Sequence, residues 1–276
     1  MPERPSWWPH RWPQALAGAL LPSTCALCGM AGADVVCGPC HAHYVAPRRP
    51  RCSCCANPLE HSLPEKCALT PVLKQQFPEN RGQSTFFEKH MARSPLCGGC
   101  LAERPAFDAT VVAADYASPL DQLVLQLKFG GRLALAPWFA RMLRDALLAQ
   151  PGFRLPDLLC PVPLGPRRLV ERGFNQALEI ARPLAGSLGV ALHPRLALRA
   201  LDTRAQSGVS PSERRDNIRG AFEVAPDAFD RVQGRHVGIV DDVMTSGHTL
   251  DELAATLKQA GAARVSGLVF ARTPPH

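Results

Sequence analysis

Residues 235–249, RHVGIVDDVMTSGHT, constrain the fold more than any other part of the chain. The apolar run at Val237, Ile239 and Val240 is too short for a helix and is rich in β-branched residues. A strand buried on both faces of a parallel sheet reads this way. Two aspartates, small polar residues and a glycine follow. Leu250, Leu253, Ala254 and Leu257 then fall at the i, i+3, i+4, i+7 spacing of an amphipathic helix. Gly261 is placed to stop that helix, and Thr249 with Glu252 three residues on fits a capping box. A second apolar run, residues 265–270, completes a β-α-β unit with an expected right-handed crossover.

That order of elements carries chemistry. Asp241 and Asp242 fall at the carboxyl end of a parallel strand, where open α/β sheets place their ligands. Thr245, Ser246, Gly247, His248 and Thr249 offer backbone N–H groups and hydroxyls at a helix N-terminus, a cradle for phosphate. Two acids beside a phosphate cup repel the ligand unless they face its hydroxyls or a divalent cation bridges them. A sugar phosphate with Mg²⁺ meets both conditions. The chain has neither the GxxxxGK[ST] of an NTPase loop nor the GxGxxG of a dinucleotide fold. As mere helix N-caps the aspartates lie too early.

The stretch closely resembles the 5-phosphoribosyl-1-diphosphate (PRPP) signature of type I phosphoribosyltransferases: an apolar strand, paired acids, an apolar residue, then T-[ST]-G-x-T. The resemblance implies that Asp241 and Asp242 are the catalytic acids, holding the ribose 2′- and 3′-hydroxyls and their Mg²⁺. It also implies that Thr245, Ser246, Gly247 and Thr249 bind the 5′-phosphate. His248 stands where the family usually has a smaller residue and offers its backbone N–H.

With 276 residues, 46% of them hydrophobic, the chain can bury a sizeable core, expected as one main domain with an appendage. Its net charge of +7 is uneven. Residues 160–220 hold ten arginines against five acids. Such a stretch suits diphosphate or nucleic-acid phosphates, although about half of these arginines taken singly are expected to be solvated surface. The sequence from Asp157 to Leu164 reads as a strand emptying into a cationic loop with Arg167, Arg168 and Arg172, which would face the two aspartates and grip a diphosphate. A helix from about Asn175 to Leu188 follows, ended by Gly189. Residues 202–211 read as a lid, with a helix starting at Ser210 and Pro211.

Prolines interrupt the N-terminal residues, which make no convincing export signal, and no stretch is long enough to span a bilayer. A cytoplasmic protein is expected. Trp7, Trp8 and Trp12 with Arg4 and Arg11 would allow weak association with the inner membrane surface, although packing on the body of the protein is the simpler expectation.

Cys25, Cys28, Cys37 and Cys40 form C-x₂-C-x₈-C-x₂-C, which reads as a closed structural zinc site. Cys52, Cys55, Cys97 and Cys100 supply a second set, with Cys54 and Cys67 as possible substitutes. Eleven cysteines, an odd count in an expected cytoplasmic chain, argue against a disulfide framework. Residues 58–95 lack periodicity and read as an insertion or mobile loop. Residues 1–105 are accordingly expected to form an N-terminal zinc-binding unit and residues 106–276 an α/β domain. Within the latter, residues 111–116 read as a strand. Helices are expected around Leu120 to Leu127 and Leu135 to Ala146.

The order of the cysteine pairs, FGGRL at 129–133, PVPL at 161–164, RRLVERGFNQA at 167–177, SPSERRDNIRGAF at 210–222 and VDDVMTSGHTL at 240–250 resembles the ComF family of competence-protein F homologues. The similarity runs from about Leu20 to Thr273. It implies a type I phosphoribosyltransferase-like fold, a parallel sheet flanked by helices, behind an N-terminal zinc ribbon. It also implies PRPP as ligand, single-stranded DNA and competence machinery as partners, and a role in natural transformation. Two classes of function stay open. One is an enzyme that transfers the phosphoribosyl group to an acceptor the sequence does not reveal. The other is a zinc-dependent single-strand-binding or regulatory protein with an inactive PRPP site.

Overall fold

The computed structural model describes residues 23–45, 49–59, 96–200 and 220–274. Strands β1 (Ser23–Thr24) and β2 (Ala31–Gly32) pair antiparallel around the first cysteine pair, and α1 (Gly38–Tyr44) begins beside Cys37. Helix α2 (Gly98–Ala102) carries Cys100. There follow β3 (Ala109–Asp115), α3 (Leu120–Lys128), α4 (Leu135–Leu148), β4 (Leu158–Pro161), α5 (Pro166–Arg172), α6 (Gln176–Leu188) and β5 (Ala191–Leu192). The chain closes with β6 (Ala197–Arg199), β7 (Phe222–Val224), α7 (Phe229–Val232), β8 (His236–Met244), α8 (His248–Gln259) and β9 (Arg264–Arg272).

Five of these strands form one parallel sheet in the order β3-β9-β8-β4-β5. Its central strands are near-continuously apolar because both faces are covered, and eight of the nine residues of β9 are buried. On one face Val240, Leu268 and Phe270 pack with α3, α4 and α6 through Leu123, Phe139 and Ile180. Phe139 and Phe270 stack there, 3.7 Å between ring centroids. Fully burying each such side chain contributes roughly 1.5–3 kcal/mol. On the other face α8 sets Leu250, Leu253 and Leu257 against Val237, Val265 and Val269. Gly267 permits this seat, because a β-carbon there would collide with Leu250 Cδ2. The cysteine units belong to the same cores: Cys25 and Cys40 join the α4 and α6 side, whereas Cys52, Cys55 and Cys100 join the α8 side.

Both aspartates lie within β8, which runs on to Met244 because β9 stays paired with it as far as Arg272. Two local expectations are corrected. The cationic loop after β4 is helical. Pro166 at its first turn supplies the helical φ, and Gly173, with φ 77°, ends it. The capping box is absent: α8 begins at His248 behind Gly247, and Glu252 instead accepts the Gly220 N–H at 2.6 Å. Gly261 does stop α8, its N–H reaching Lys258 while that of Ala262 reaches Leu257. Residues 60–95, the lid at 202–211 with its helix start, and the three N-terminal tryptophans lie outside the described residues.

Candidate functional site

β4 leaves β8 at Pro161. The Val162 N–H still reaches the Val240 carbonyl at 2.9 Å, but beyond it, among the described residues, β8 has a neighbour on the β9 side only. Asp241 and Asp242 occupy this overhang. Each carboxylate accepts the N–H of the residue after it, Asp242 donating to Asp241 Oδ1 and Val243 to Asp242 Oδ1, both at 2.9 Å. Asp242 is buried, and Lys128 at the end of α3 places Nζ 2.9 Å from its Oδ2. A buried carboxylate needs such a partner, since desolvation otherwise costs several kcal/mol, as an order of magnitude. Asp241 keeps partial exposure. Burial, and then the charge of Asp242, holds its carboxyl well above the usual range.

The chain turns from β8 into α8 through Thr245 and Ser246, both exposed, and Gly247. Gly247 has φ 90°, and a β-carbon on it would lie 2.6 Å from Met244 Cε, so backbone conformation and space both select glycine. The N-cap residue, Gly247, has no side chain to cap α8, and the backbone N–H groups of the first turn are directed toward the helix end. His248 is accommodated half-buried at the first helical position. It lines a 290 Å³ cavity with Ser246 and Gly247 on one wall and Cys55, Cys97 and Cys100 on another. The 5′-phosphate loop expected from sequence thus adjoins the second cysteine set.

The three arginines separate. Arg172 faces the acids: burial lowers its pKa, and the charges of Asp242 and Asp241 oppose that shift. Its Nη1 donates to Gln176 Oε1 at 2.5 Å, and its guanidinium carbon lies 5.3 Å from the Phe129 ring centroid. Arg168 lines an open cleft with Arg172, Lys128 and Phe129. Arg167 points elsewhere and pairs with Glu171 at 2.9 Å on the exposed side of α5.

Both cysteine sets close in space, with the four sulfurs of each within 4.8 Å of one another. Cys28 and Cys37 approach to 3.7 Å and Cys55 and Cys97 to 3.5 Å. A tetrahedral zinc with Zn–S about 2.3 Å sets its sulfurs about 3.8 Å apart. Charge also favours a cation. Burial pushes the Cys25 thiol up, but N–H groups of Cys37, Cys28 and Leu27 outweigh it and bring it to about 6. A hydrogen bond from Cys55 brings Cys52 to about 4 and drives Cys55 itself up. Four thiols crowded this way ionise at one another's expense, and a divalent ion removes the conflict. Either set can hold zinc. Cys54 stands apart, its Sγ against the Phe107 carbonyl at 3.8 Å, and Cys160 is buried in β4.

Two further residues belong to the site. Lys128 directly precedes the FGGRL motif, and its position at a helix end opposite the acids was the available signal. Buried Arg272 donates through Nη1 to the carbonyls of Met244 and Thr273, each at 3.0 Å, and of Thr245, and so braces the entry to the loop between β8 and α8. An arginine ending an apolar strand was its only sequence sign.

No helix among the described residues is long and apolar enough to cross a membrane. No family model matches the chain. The DNA utilization protein YhgH of Salmonella typhimurium is 40% identical over 180 residues, 64% of this chain and 78% of that protein. Competence protein F of Haemophilus influenzae is 33% identical over 180 residues with the same coverage. A solved structure, glutamine phosphoribosylpyrophosphate amidotransferase from B. subtilis, aligns over 49% of this chain and 26% of its own at 18% identity and a TM-score of 0.31, a likeness too slight to build on. Identity of a third or more across over three quarters of two curated relatives decides the matter of descent: the chain belongs to the ComF family, with competence protein F and the YhgH proteins.

Proposed function

We propose that this protein binds PRPP at the end of β8 and acts in DNA uptake, handling incoming single-stranded DNA. The observation that carries the reading is the continuity of an overhanging pair of acids with a helix N-terminus that opens on glycine, across Thr245, Ser246 and Gly247. In this reading Asp241 and Asp242 hold the ribose 2′- and 3′-hydroxyls. The loop from Thr245 to Thr249 takes the 5′-phosphate through backbone N–H groups and hydroxyls. Arg172, which faces the acids, takes the diphosphate. Mg²⁺ bound with PRPP supplies the charge compensation that the acids and the diphosphate need together. In a transfer, the bond from C1′ to the diphosphate breaks with its electron pair leaving on the diphosphate, and the acceptor bonds to C1′. In this reading residues 106–276 are the PRPP domain and residues 1–105 the zinc-binding segment, whose described cysteine sets share the cores of that domain. The names of the relatives, DNA utilization protein and competence protein F, support the DNA role.

A second reading, binding without turnover, is favoured by the ion pair of Lys128 with Asp242, which already holds one of the two carboxylates. Titration calorimetry of PRPP with Mg²⁺ tests the site, and a screen for diphosphate release over nucleobases, nucleotides and single-stranded DNA separates the readings. The site reading expects saturable PRPP binding, tighter than that of ribose 5-phosphate. No binding at millimolar PRPP sinks it.

A further inference from the structure

The motifs at 129–133 and 167–177 meet in space, and the diacid site uses little of what they bring. They line an open cleft of about 680 Å³ bounded by Lys128, Phe129, Arg168, Glu171, Arg172 and Phe174. That volume lies in the range of small-molecule sites and is ample for one nucleotide. Phe129 is 74% exposed, the second most exposed large apolar side chain among the described residues. This ring, on a glycine turn between two basic elements, has a face open for stacking. Arg172 approaches its ring to 5.3 Å, holding the ring in place and leaving much of its surface open. The charge of the cleft is positive. Glu171 is already paired with Arg167, and Lys128 is engaged with Asp242. Arg168 makes no ion pair among the described residues. The cleft begins where the acids end, because Lys128 touches Asp242 and directly precedes Phe129.

An aromatic ring offered to solvent beside unspent guanidinium charge is the arrangement that holds an unpaired base together with its phosphate. A duplex hides its base faces, and a folded protein surface seldom presents a flat ring with a phosphate one bond system away. We propose that this cleft binds one nucleotide of a single-stranded nucleic acid, with its base stacked on Phe129 and its phosphate on Arg168, and so brings the strand beside the acids of β8. The proposal deepens the function above by assigning the strand-binding subsite. It rests on that reading only for the strand's neighbour, because the stacking itself requires no PRPP.

The test uses the full chain, a fluorescent oligothymidylate and a duplex of equal length, with anisotropy followed across salt concentration. Phe129→Ala is expected to weaken oligothymidylate binding at least fivefold with its salt slope unchanged, and Phe129→Trp to restore it, since what is lost is stacking. Arg168→Gln is expected to weaken binding and to reduce the slope by about 0.7, the share of one single-strand phosphate. The duplex is expected to bind more weakly than the single strand. PRPP affinity of Phe129→Ala by calorimetry is expected to stay within twofold of wild type. An oligothymidylate affinity within twofold of wild type in Phe129→Ala, equal binding of the duplex, or no strand binding at low salt overturns the proposal. Absence of PRPP binding by the wild type, with the Phe129 effect present, overturns the PRPP reading alone.

Discussion

Arg272 Nε donates to the carbonyl of Cys55 at 3.2 Å, while Nη1 of the same guanidinium serves the carbonyls of Met244, Thr245 and Thr273. One buried side chain therefore fastens the second cysteine set to the backbone that enters the loop between β8 and α8. Arg272→Met would take a donor from the carbonyls of Cys55, Thr245 and Thr273, whereas that of Met244 keeps the Thr273 N–H, at about 1–3 kcal/mol for each buried group left unsatisfied. We expect a lower melting temperature and PRPP affinity down at least tenfold. Arg272→Lys, which cannot reach four carbonyls with one point charge, should recover stability better than affinity. Wild-type affinity in Arg272→Met would show that the loop holds itself.

The two metal sets should differ in reach. Elemental analysis is expected to find two zinc ions per chain, and a value near zero, or iron instead, would remove the assignment. Cys100→Ser disturbs the set that shares a cavity wall with Ser246 and His248, so zinc content and PRPP affinity should fall together. Cys28→Ser disturbs the set packed beside α4, so zinc should fall by one ion with PRPP binding largely kept. Equal effects of the two variants on calorimetric affinity would refute the distinction.

Asp241→Asn and Asp242→Asn remove charge at nearly constant size. A lost charge-assisted contact is worth about 1.5–3 kcal/mol, so PRPP affinity should drop roughly ten- to a hundredfold in each. Stability should move differently at Asp241. Its carboxyl is held above the usual range by burial and by Asp242, so the folded protein keeps a proton that the unfolded chain has released. Stability therefore falls as pH rises from the ordinary carboxylate pKa toward the raised one, then levels. Asparagine mimics the protonated form and abolishes that loss. Thermal melts across pH should show Asp241→Asn equal to wild type in acid and more stable above it; parallel curves would contradict the assignment.

Gly247→Ala should strain the backbone at φ 90° and press its methyl on Met244 Cε. A cost of about 1–2 kcal/mol is expected from the left-handed conformation alone. Because the residue sits inside the loop proposed to hold the 5′-phosphate, PRPP affinity should fall further than stability does. Calorimetry beside a melting curve decides this, and unchanged affinity would place the ligand elsewhere.

What could be read in the sequence was what is local. The unit from β8 to β9 announced itself because both strands are buried on two faces and α8 on one, so each element carries its own period. The cysteine sets were legible because a metal knuckle fixes spacing within a few residues. Helix α5 buries no residue at all and so has no apolar stripe to betray it, although Pro166 and Gly173 marked its ends. Thr249 and Glu252 had the capping spacing, but the left-handed Gly247 starts the helix earlier and Glu252 finds the N–H of Gly220 instead. Lys128 and Arg272 were missed because their partners are distant in the chain, Cys55 lying 217 residues from Arg272.

The pairing of β3 with β9 has a consequence for the newborn chain. β3 leaves the ribosome long before β9, its sheet neighbour among the described residues, and Val265 meets the Asp108 carboxylate across 157 residues. The cysteine sets are translated first and can capture metal while the strands that will clamp them, with Arg272 last, are still unmade. A nascent chain stalled before residue 264 exposes a long hydrophobic strand with nothing to pair it, the condition under which chains aggregate. The loop between β8 and α8 is therefore among the last parts to be completed, and its assembly waits for the end of translation.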